Sequence, residues 1–373
     1  MIAAAGLIFT IIVISGSRTN KETEANIGDA PTNVPAAFQG NDSSDETLFL
    51  LNGQPMPMSA FGYYLYNSFV RLESRYETPE LDFNLKMTED MTLGQYVIKN
   101  AVDGLKFNIV VDELAKEFNI DRAATEDEVD EYLTTTIAEA YSGDVASFQE
   151  QLAMMGTNLE SFREIMISQR LGSYVFEHYY GENGAETVKF SEHSDRFATV
   201  SYIFLLTTTD EPVYNEETGR MEQKPLSDEV IEHKRALAET ILERLNGGED
   251  FFELLNEYGE DPGIIPENNP NQRYTFQRKD MAYEFSDAAF SLEAGEYSDI
   301  VELPYGFYMI HRLPLDVEEV ARVMETREFL YDIFNQMLDA LSSDYVFEPT
   351  PLFETTPLDT WYMEYKSKNF NPF

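Results

Sequence analysis

The segment FQRKDMAYEFSDAAFSLEAGEYSDIVELPYGFYMIHRL, residues 276–313, decides the fold of this chain. With the preceding RYT it predicts a strand, a short helix in DMAYEFSDAAFSL, a turn at EAGE and two strands in YSDIVELPYGFYMIHRL. Upstream, in ATVSYIFL, Val200, Tyr202 and Phe204 alternate with Ser201 and Ile203, which predicts a strand over 198–207. Two helices are predicted between these parts, in LSDEVIEHKRALAETILERLNGG and EDFFELLNEYG. The resulting order, β-α-α-β-α-β-β, is typical of a compact α+β unit.

Residues 46–190 have the periodicity of helices instead. Leu93, Val97, Ala101 and Leu105 recur with the i, i+4 spacing of a helix that faces a core. The NGQPM sequence before this region predicts a short strand or hairpin that leads into the first helix. These residues therefore predict a helical domain.

Residues 315–346 predict one long helix with an apolar face that needs a packing partner. The helical domain is the expected partner, because the α+β unit has its own core. The predicted fold class is thus α+β, in which a helical domain built from N- and C-terminal segments carries an inserted α+β domain at 197–314.

The two ends of the chain differ in composition from the predicted domains. Residues 1–17 are an apolar run that is short for a membrane span and predicts a cleaved export signal or a membrane anchor. Residues 18–45 are polar and predict a flexible linker. The segment 347–373 is rich in proline and aromatic residues, and it predicts either a strap across the helical domain or a segment presented to a partner.

The composition excludes several classes of function. The formal net charge of −42 repels nucleic acid and anionic lipid, so membrane contact is expected only through the N-terminal segment, and basic polypeptides are favoured as partners. The absence of cysteine excludes disulfides, thiolate metal sites and a cysteine nucleophile. The four histidines form no i, i+4 pair, and no phosphate-binding glycine loop occurs. The sequence therefore predicts no metal and no cofactor, and it leaves a homodimer open.

Residues 197–314 resemble the parvulin family of peptidyl-prolyl isomerases. The resemblance rests on the strand ATVSYIFL, on F-x-R-x-x-M-x-x-x-F-x-x-A-x-F-x-L-x-x-G-x-x-S, and on the closing GFYMI. The flanking helices resemble those of the SurA and PrsA exported foldases, in which NGQPMPMSAF corresponds to the start of the chaperone domain. The resemblance implies an apolar proline pocket above a hydrogen-bonded floor of two histidines and a Cys or Asp.

The resemblance assigns the pocket to particular residues. Met281 and Phe285 match the proline-binding Met and Phe, and Phe276 and Phe290 match neighbouring aromatic residues. Arg273 stands where the family has a pocket leucine, which is a departure that disfavours proline binding.

The floor departs further from the family. Asp261 falls where Cys or Asp is found, but Tyr202 and Tyr308 occupy both histidine positions. His311 lies three residues after Tyr308 and is expected on the opposite face of the strand. The tyrosines either form a hydrogen-bonded floor with Asp261 or pack as core aromatics.

The expected function is an extracytoplasmic folding factor for unfolded or exported polypeptides, with weak or lost peptidyl-prolyl isomerase activity. The alternatives are a non-enzymatic holdase or scaffold, and an assembly partner of one surface or secretion complex.

Overall fold

The computed structural model describes residues 45–76, 80–88, 90–182, 184–209, 213–215 and 220–369. The chain forms two compact units. The helical unit comprises the described residues up to Glu186 and those from Asp332 onward, and the inserted unit comprises Thr187–Tyr331. This arrangement confirms an α+β fold in which one unit is inserted between two segments of a helical one. The predicted signal or anchor segment lies outside the described residues, as does the predicted linker except for Asp45.

The first part of the helical unit contains the predicted helices. Thr92 begins one of them with a capping box, in which its hydroxyl accepts the Gln95 N–H and the Gln95 side chain accepts the Thr92 N–H. Asn158 begins another, because its side chain accepts the Ser161 N–H at 2.8 Å. The predicted stripe from Leu93 to Leu105 is buried. The helices are α1 (Met58–Tyr76), α2 (Leu93–Glu117), α3 (Arg122–Ala140), α4 (Val145–Met154) and α5 (Leu159–Tyr180).

A small antiparallel sheet joins the two ends of the helical unit. It has the strand order β2-β1-β9, with β1 at Thr47–Leu51, β2 at Gln54–Pro57 and β9 at Phe347–Pro349. Asn52 and Gly53 both have positive φ, 50° and 75°, which suits the two-residue turn between β1 and β2. The hairpin was predicted, but the pairing of β1 with the C-terminal segment was not.

The C-terminal segment continues as α12 (Pro351–Thr355) and α13 (Leu358–Asn369). Tyr362 of α13 is buried, with its ring centroid 5.1 Å from that of Phe69 and 5.2 Å from that of Phe83. Trp361 lies edge-on to Phe61 at 5.9 Å. Of the two predictions for this segment, the structure shows the strap.

The inserted unit is built around one antiparallel sheet with the order β6-β3-β8-β7. The long central strands β3 and β8 pair with each other over residues 199–206 of β3 and the whole of β8, and helices cover both faces of the sheet. A second hairpin, β4 with β5, was not predicted. The elements are α6 (Phe190–His193), β3 (Phe197–Leu206), β4 (Val213–Asn215), β5 (Arg220–Glu222), α7 (Asp228–Asn246), α8 (Phe251–Tyr258), β6 (Tyr274–Gln277), α9 (Tyr283–Ser291), β7 (Val301–Leu303) and β8 (Gly306–Leu313).

The predicted single helix over 315–346 is wrong, because the chain forms α10 (Val317–Met324) and then α11 (Arg327–Leu341). Thr326 causes the break, since its hydroxyl donates to the Val323 carbonyl and accepts the Phe329 N–H at 3.3 Å. The first half of the predicted helix belongs to the inserted unit, where the Phe329 ring lies 5.7 Å from that of Phe197. None of the helices in the described part of the chain is long and apolar enough to cross a bilayer.

Candidate functional site

The candidate site lies on the face of the sheet that α9 covers. Alternation along β3 and β8 places Tyr202, Phe204 and Tyr308 on this face, and the register sets Phe204 directly opposite Tyr308. The rings of Phe204 and Tyr308 stack with centroids 4.5 Å apart, and those of Tyr202 and Tyr308 lie 5.7 Å apart. The two positions that resemble the family's histidines are therefore neighbours.

Asp261 completes this floor. It follows α8 in the segment that leads to β6, and its Oδ2 accepts the Tyr202 hydroxyl at 2.6 Å. Its Oδ1 accepts the Gly263 N–H at 2.7 Å, which fixes the carboxylate from the other side. Of the two alternatives for the floor, the hydrogen-bonded one applies to Tyr202.

Tyr308 differs from Tyr202 in its hydrogen bonding. Among the described residues its hydroxyl has no hydrogen-bond partner, although the ring is buried. Burial raises the pKa of Tyr308 well above its usual range, and the nearby Tyr305 and Asp261 add to the effect. Burial likewise raises the pKa of Tyr202, and the hydrogen bond to Asp261 raises it further. Both phenols are consequently neutral at physiological pH, and the Tyr308 hydroxyl is available as a donor.

Phe285 of α9 closes the apolar part of the site. Its ring meets Tyr202 and Tyr308 edge-on, at centroid distances of 5.7 and 5.3 Å, and it is 0% exposed. Phe276 lies 5.7 Å from Phe285 on its other side. Phe285 and Phe276 therefore form the base of the site rather than its accessible wall.

Met281 and Phe290, which the family resemblance assigns to the proline pocket and its surroundings, are partly buried against the core of the inserted unit. The Phe290 ring lies 5.8 Å from Phe276, and the Arg278 guanidinium lies 4.5 Å above its centre. Met281 packs against the core of the same unit, and ring contacts and the Tyr202–Asp261 hydrogen bond join the other six candidate site residues: Tyr202, Asp261, Phe276, Phe285, Phe290 and Tyr308. Their roles in binding or catalysis are still predictions.

The structure shows where two residues that depart from the family pattern, His311 and Arg273, lie. His311 pairs with Ser201 on the opposite face of the sheet, where its ring lies 4.8 Å from that of Phe251, so it faces away from the site as expected. Arg273, at the family's pocket-leucine position, forms an ion pair with Asp316. Its Nη2 lies 2.8 Å from Oδ2 of Asp316, the residue that caps α10.

Sequence reasoning missed two tyrosines at the edge of the site. Tyr274 is 44% exposed and its ring stacks on Phe276 at 5.9 Å, while Tyr305 is 39% exposed and its ring lies 6.3 Å from that of Tyr308. The position of Tyr274 two residues before Phe276 was a usable signal, because alternate residues of a strand share a face. Tyr305 lies in the β7–β8 turn, whose side-chain direction no periodicity predicts.

A family model for the PPIC-type PPIase domain matches residues 186–313. These residues are a parvulin-type domain. The match begins one residue before the inserted unit and ends at residue 313, whereas the unit continues to Tyr331. The match includes both tyrosines of the floor. The parvulin domain is the part of the chain for which similarity to known proteins is clearest.

The chain is also similar to foldases of the PrsA class. It is 33% identical to foldase protein PrsA of Halalkalibacterium halodurans over 105 residues, 28% of this chain and 31% of the relative. It is 21% identical to foldase protein PrsA of Clostridium tetani over 235 residues, 63% of this chain and 60% of the relative. The crystal structure of PrsA from Bacillus cereus, at 20% identity, covers 75% of this chain and 98% of its own, with a TM-score of 0.31. The matched region spans about a third of the length of the H. halodurans relative.

Proposed function

We propose that the chain is a folding factor that binds unfolded or newly exported polypeptides outside the cytoplasm and has weak or no peptidyl-prolyl isomerase activity. The observation that carries this proposal is the Tyr202–Asp261 hydrogen bond beside Tyr308, which preserves a polar floor without either histidine. The similarity to PrsA foldases supports the choice of polypeptide clients. The apolar residues 1–17 and that similarity together support a location outside the cytoplasm, by export or anchoring.

The chemistry of such a site is binding rather than bond breaking. An X–Pro bond rotates across a barrier of about 18–20 kcal/mol, and a catalyst must bind the twisted amide more tightly than the planar one. Met281 offers an apolar surface to the proline ring, and the Tyr308 hydroxyl can donate to a client carbonyl. Neither group changes charge during rotation, and the Tyr202 hydroxyl is already engaged by Asp261. The site therefore holds a proline with little selective stabilisation of the twisted state.

A purely non-enzymatic holdase is the second candidate, and one observation favours it. Phe285 is fully buried, and the tyrosine rings that it contacts are 9% and 8% exposed, so the base of the site is closed. A client would then be held on the exposed surface of the chain, with the high net negative charge keeping the complex soluble.

Replacing Met281 with Ala separates these candidates. A proline-isomerisation assay on a short peptide is expected to show a slow rate above the uncatalysed one, and Met281→Ala should lower that rate about fivefold through lost apolar contact. Met363→Ala is the matched control, because Met363 is 71% exposed in the helical unit.

Suppression of client aggregation is measured with the same variants. Suppression with no detectable isomerisation in any variant supports the holdase. A chain that neither accelerates isomerisation nor suppresses aggregation contradicts both candidates.

A further inference from the structure

We propose that the parvulin domain selects proline segments in which a Lys or Arg precedes the proline. This inference rests on the proposed binding of polypeptides and names the class of client that the site takes. The residues that carry it are Asp261, Tyr202, to which it is hydrogen-bonded, and the neighbouring Tyr274, Tyr305 and Tyr308.

These five side chains form one electrostatic group. Asp261 and Tyr202 are joined by a hydrogen bond. Burial is the main cause of the raised pKa of Tyr202, and the hydrogen bond to Asp261 and the nearby Tyr308 and Tyr274 raise it further. Burial likewise raises the pKa of Tyr308, and the nearby Tyr305 and Asp261 raise it further. The group itself contains one carboxylate and no cation, whereas Arg278 and Arg312 lie over the Phe290 ring at 4.5 and 5.4 Å. A ligand charge placed directly beside Asp261 therefore meets a negative local potential.

Two basic residues that are near the group in sequence, Arg273 and Arg278, pair with other carboxylates. Arg273, which directly precedes Tyr274, pairs with Asp316 at 2.8 Å. Arg278 pairs with Asp287 at 3.3 Å and covers the Phe290 ring. Neither cation neutralises Asp261, which is only partly buried and keeps lone pairs for a ligand.

The exposed aromatic rings provide a second contact for a cation. Tyr274 and Tyr305 are 44% and 39% exposed while their rings lie against the site, and Tyr283, at the start of α9, is 74% exposed. A Lys or Arg side chain binds favourably over the face of such a ring. A client with Glu before its proline instead brings a carboxylate towards Asp261. The site therefore distinguishes clients by the charge beside the proline.

The test uses the full chain and three blocked peptides that differ only in the residue before proline, which is Lys, Gln or Glu. Dissociation constants are measured by isothermal titration. One exposed ion pair and one exposed cation–π contact predict that the Lys peptide binds about fivefold more tightly than the Gln peptide and at least about tenfold more tightly than the Glu peptide. The preference should shrink when the salt concentration is raised from about 0.1 M to about 1 M.

Two variants that each remove one negative charge separate the effect of Asp261 from the effect of the protein's overall negative charge. Asp261→Asn should reduce the preference of Lys over Gln to less than about twofold. Glu253→Gln removes the same charge from an exposed position on α8, the helix whose Phe251 packs on His311 across the sheet from the site, and should leave the preference intact. Tyr274→Ala provides an independent variant at an exposed position and should reduce the preference by about half.

Each outcome has a defined meaning. Equal binding of the three peptides, or equal effects of Asp261→Asn and Glu253→Gln, overturns the charge preference while leaving polypeptide binding intact. Failure of all three peptides to bind, together with no suppression of client aggregation, overturns the proposed function itself.

Discussion

Replacing Phe285 with Ala is expected to lower the free energy of unfolding of the inserted unit by about 3–5 kcal/mol. The ring is fully buried and contacts Tyr202, Tyr308 and Phe276, so its removal leaves a cavity beneath the site as well as losing apolar burial. Hydrogen exchange of the β3 and β8 amides in increasing urea measures this free energy for the inserted unit alone.

Tyr283→Ala is the matched control for that variant. It removes an aromatic ring from the same helix, but a ring that is 74% exposed, and is expected to change the unfolding free energy by less than about 0.5 kcal/mol. A cost below about 1 kcal/mol for Phe285→Ala would show that the ring is not packed in the core. The large expected cost is also why Met281, rather than Phe285, is the better position for testing binding.

Replacing Tyr362 with Ala is expected to destabilise the helical unit by about 3 kcal/mol or more. Its ring packs between Phe69 and Phe83, and its hydroxyl donates to Glu73 at 2.6 Å. Glu73 also accepts from the hydroxyl of Tyr365 at 2.8 Å, so the strap is held by apolar and polar contacts together. Urea unfolding followed by hydrogen exchange in α1 measures the change.

The neighbouring Met363 provides the control for the strap. Met363→Ala truncates a side chain of the same helix that is 71% exposed, and it should change stability by less than about 0.5 kcal/mol. If Tyr362→Ala were equally neutral, the strap would not be part of the folded helical unit. The alternative of a segment presented to an assembly partner would then be favoured.

The sequence was sufficient for the parvulin domain because its signals are local. The family resemblance placed Tyr202 and Tyr308 in one floor, and strand alternation predicted that His311 faces away from Tyr308. The register of β3 with β8 agrees with both. The helical stripe and the hairpin at Asn52 and Gly53 were predictable for the same reason.

The features that were not predicted depend on distant or weakly constrained contacts. The pairing of β9 with β1 joins the two ends of the described chain, and no local pattern reports such a partner. The direction of Arg273 is set by its pairing with Asp316, because a long side chain beside a strand can turn to either face. The break at Thr326 has neither proline nor glycine as a signal, only a hydroxyl that caps the following helix.

The central claim is that a client proline is held at Met281, above the Tyr202–Asp261 floor. The most direct test is a methyl NMR titration of the full chain, with its 14 methionines labelled, against a blocked peptide that contains one proline. The account predicts that the Met281 methyl signal shifts on addition of peptide, whereas the signals of the buried Met309 and the exposed Met363 do not. An unchanged Met281 signal in the presence of bound peptide would contradict the account.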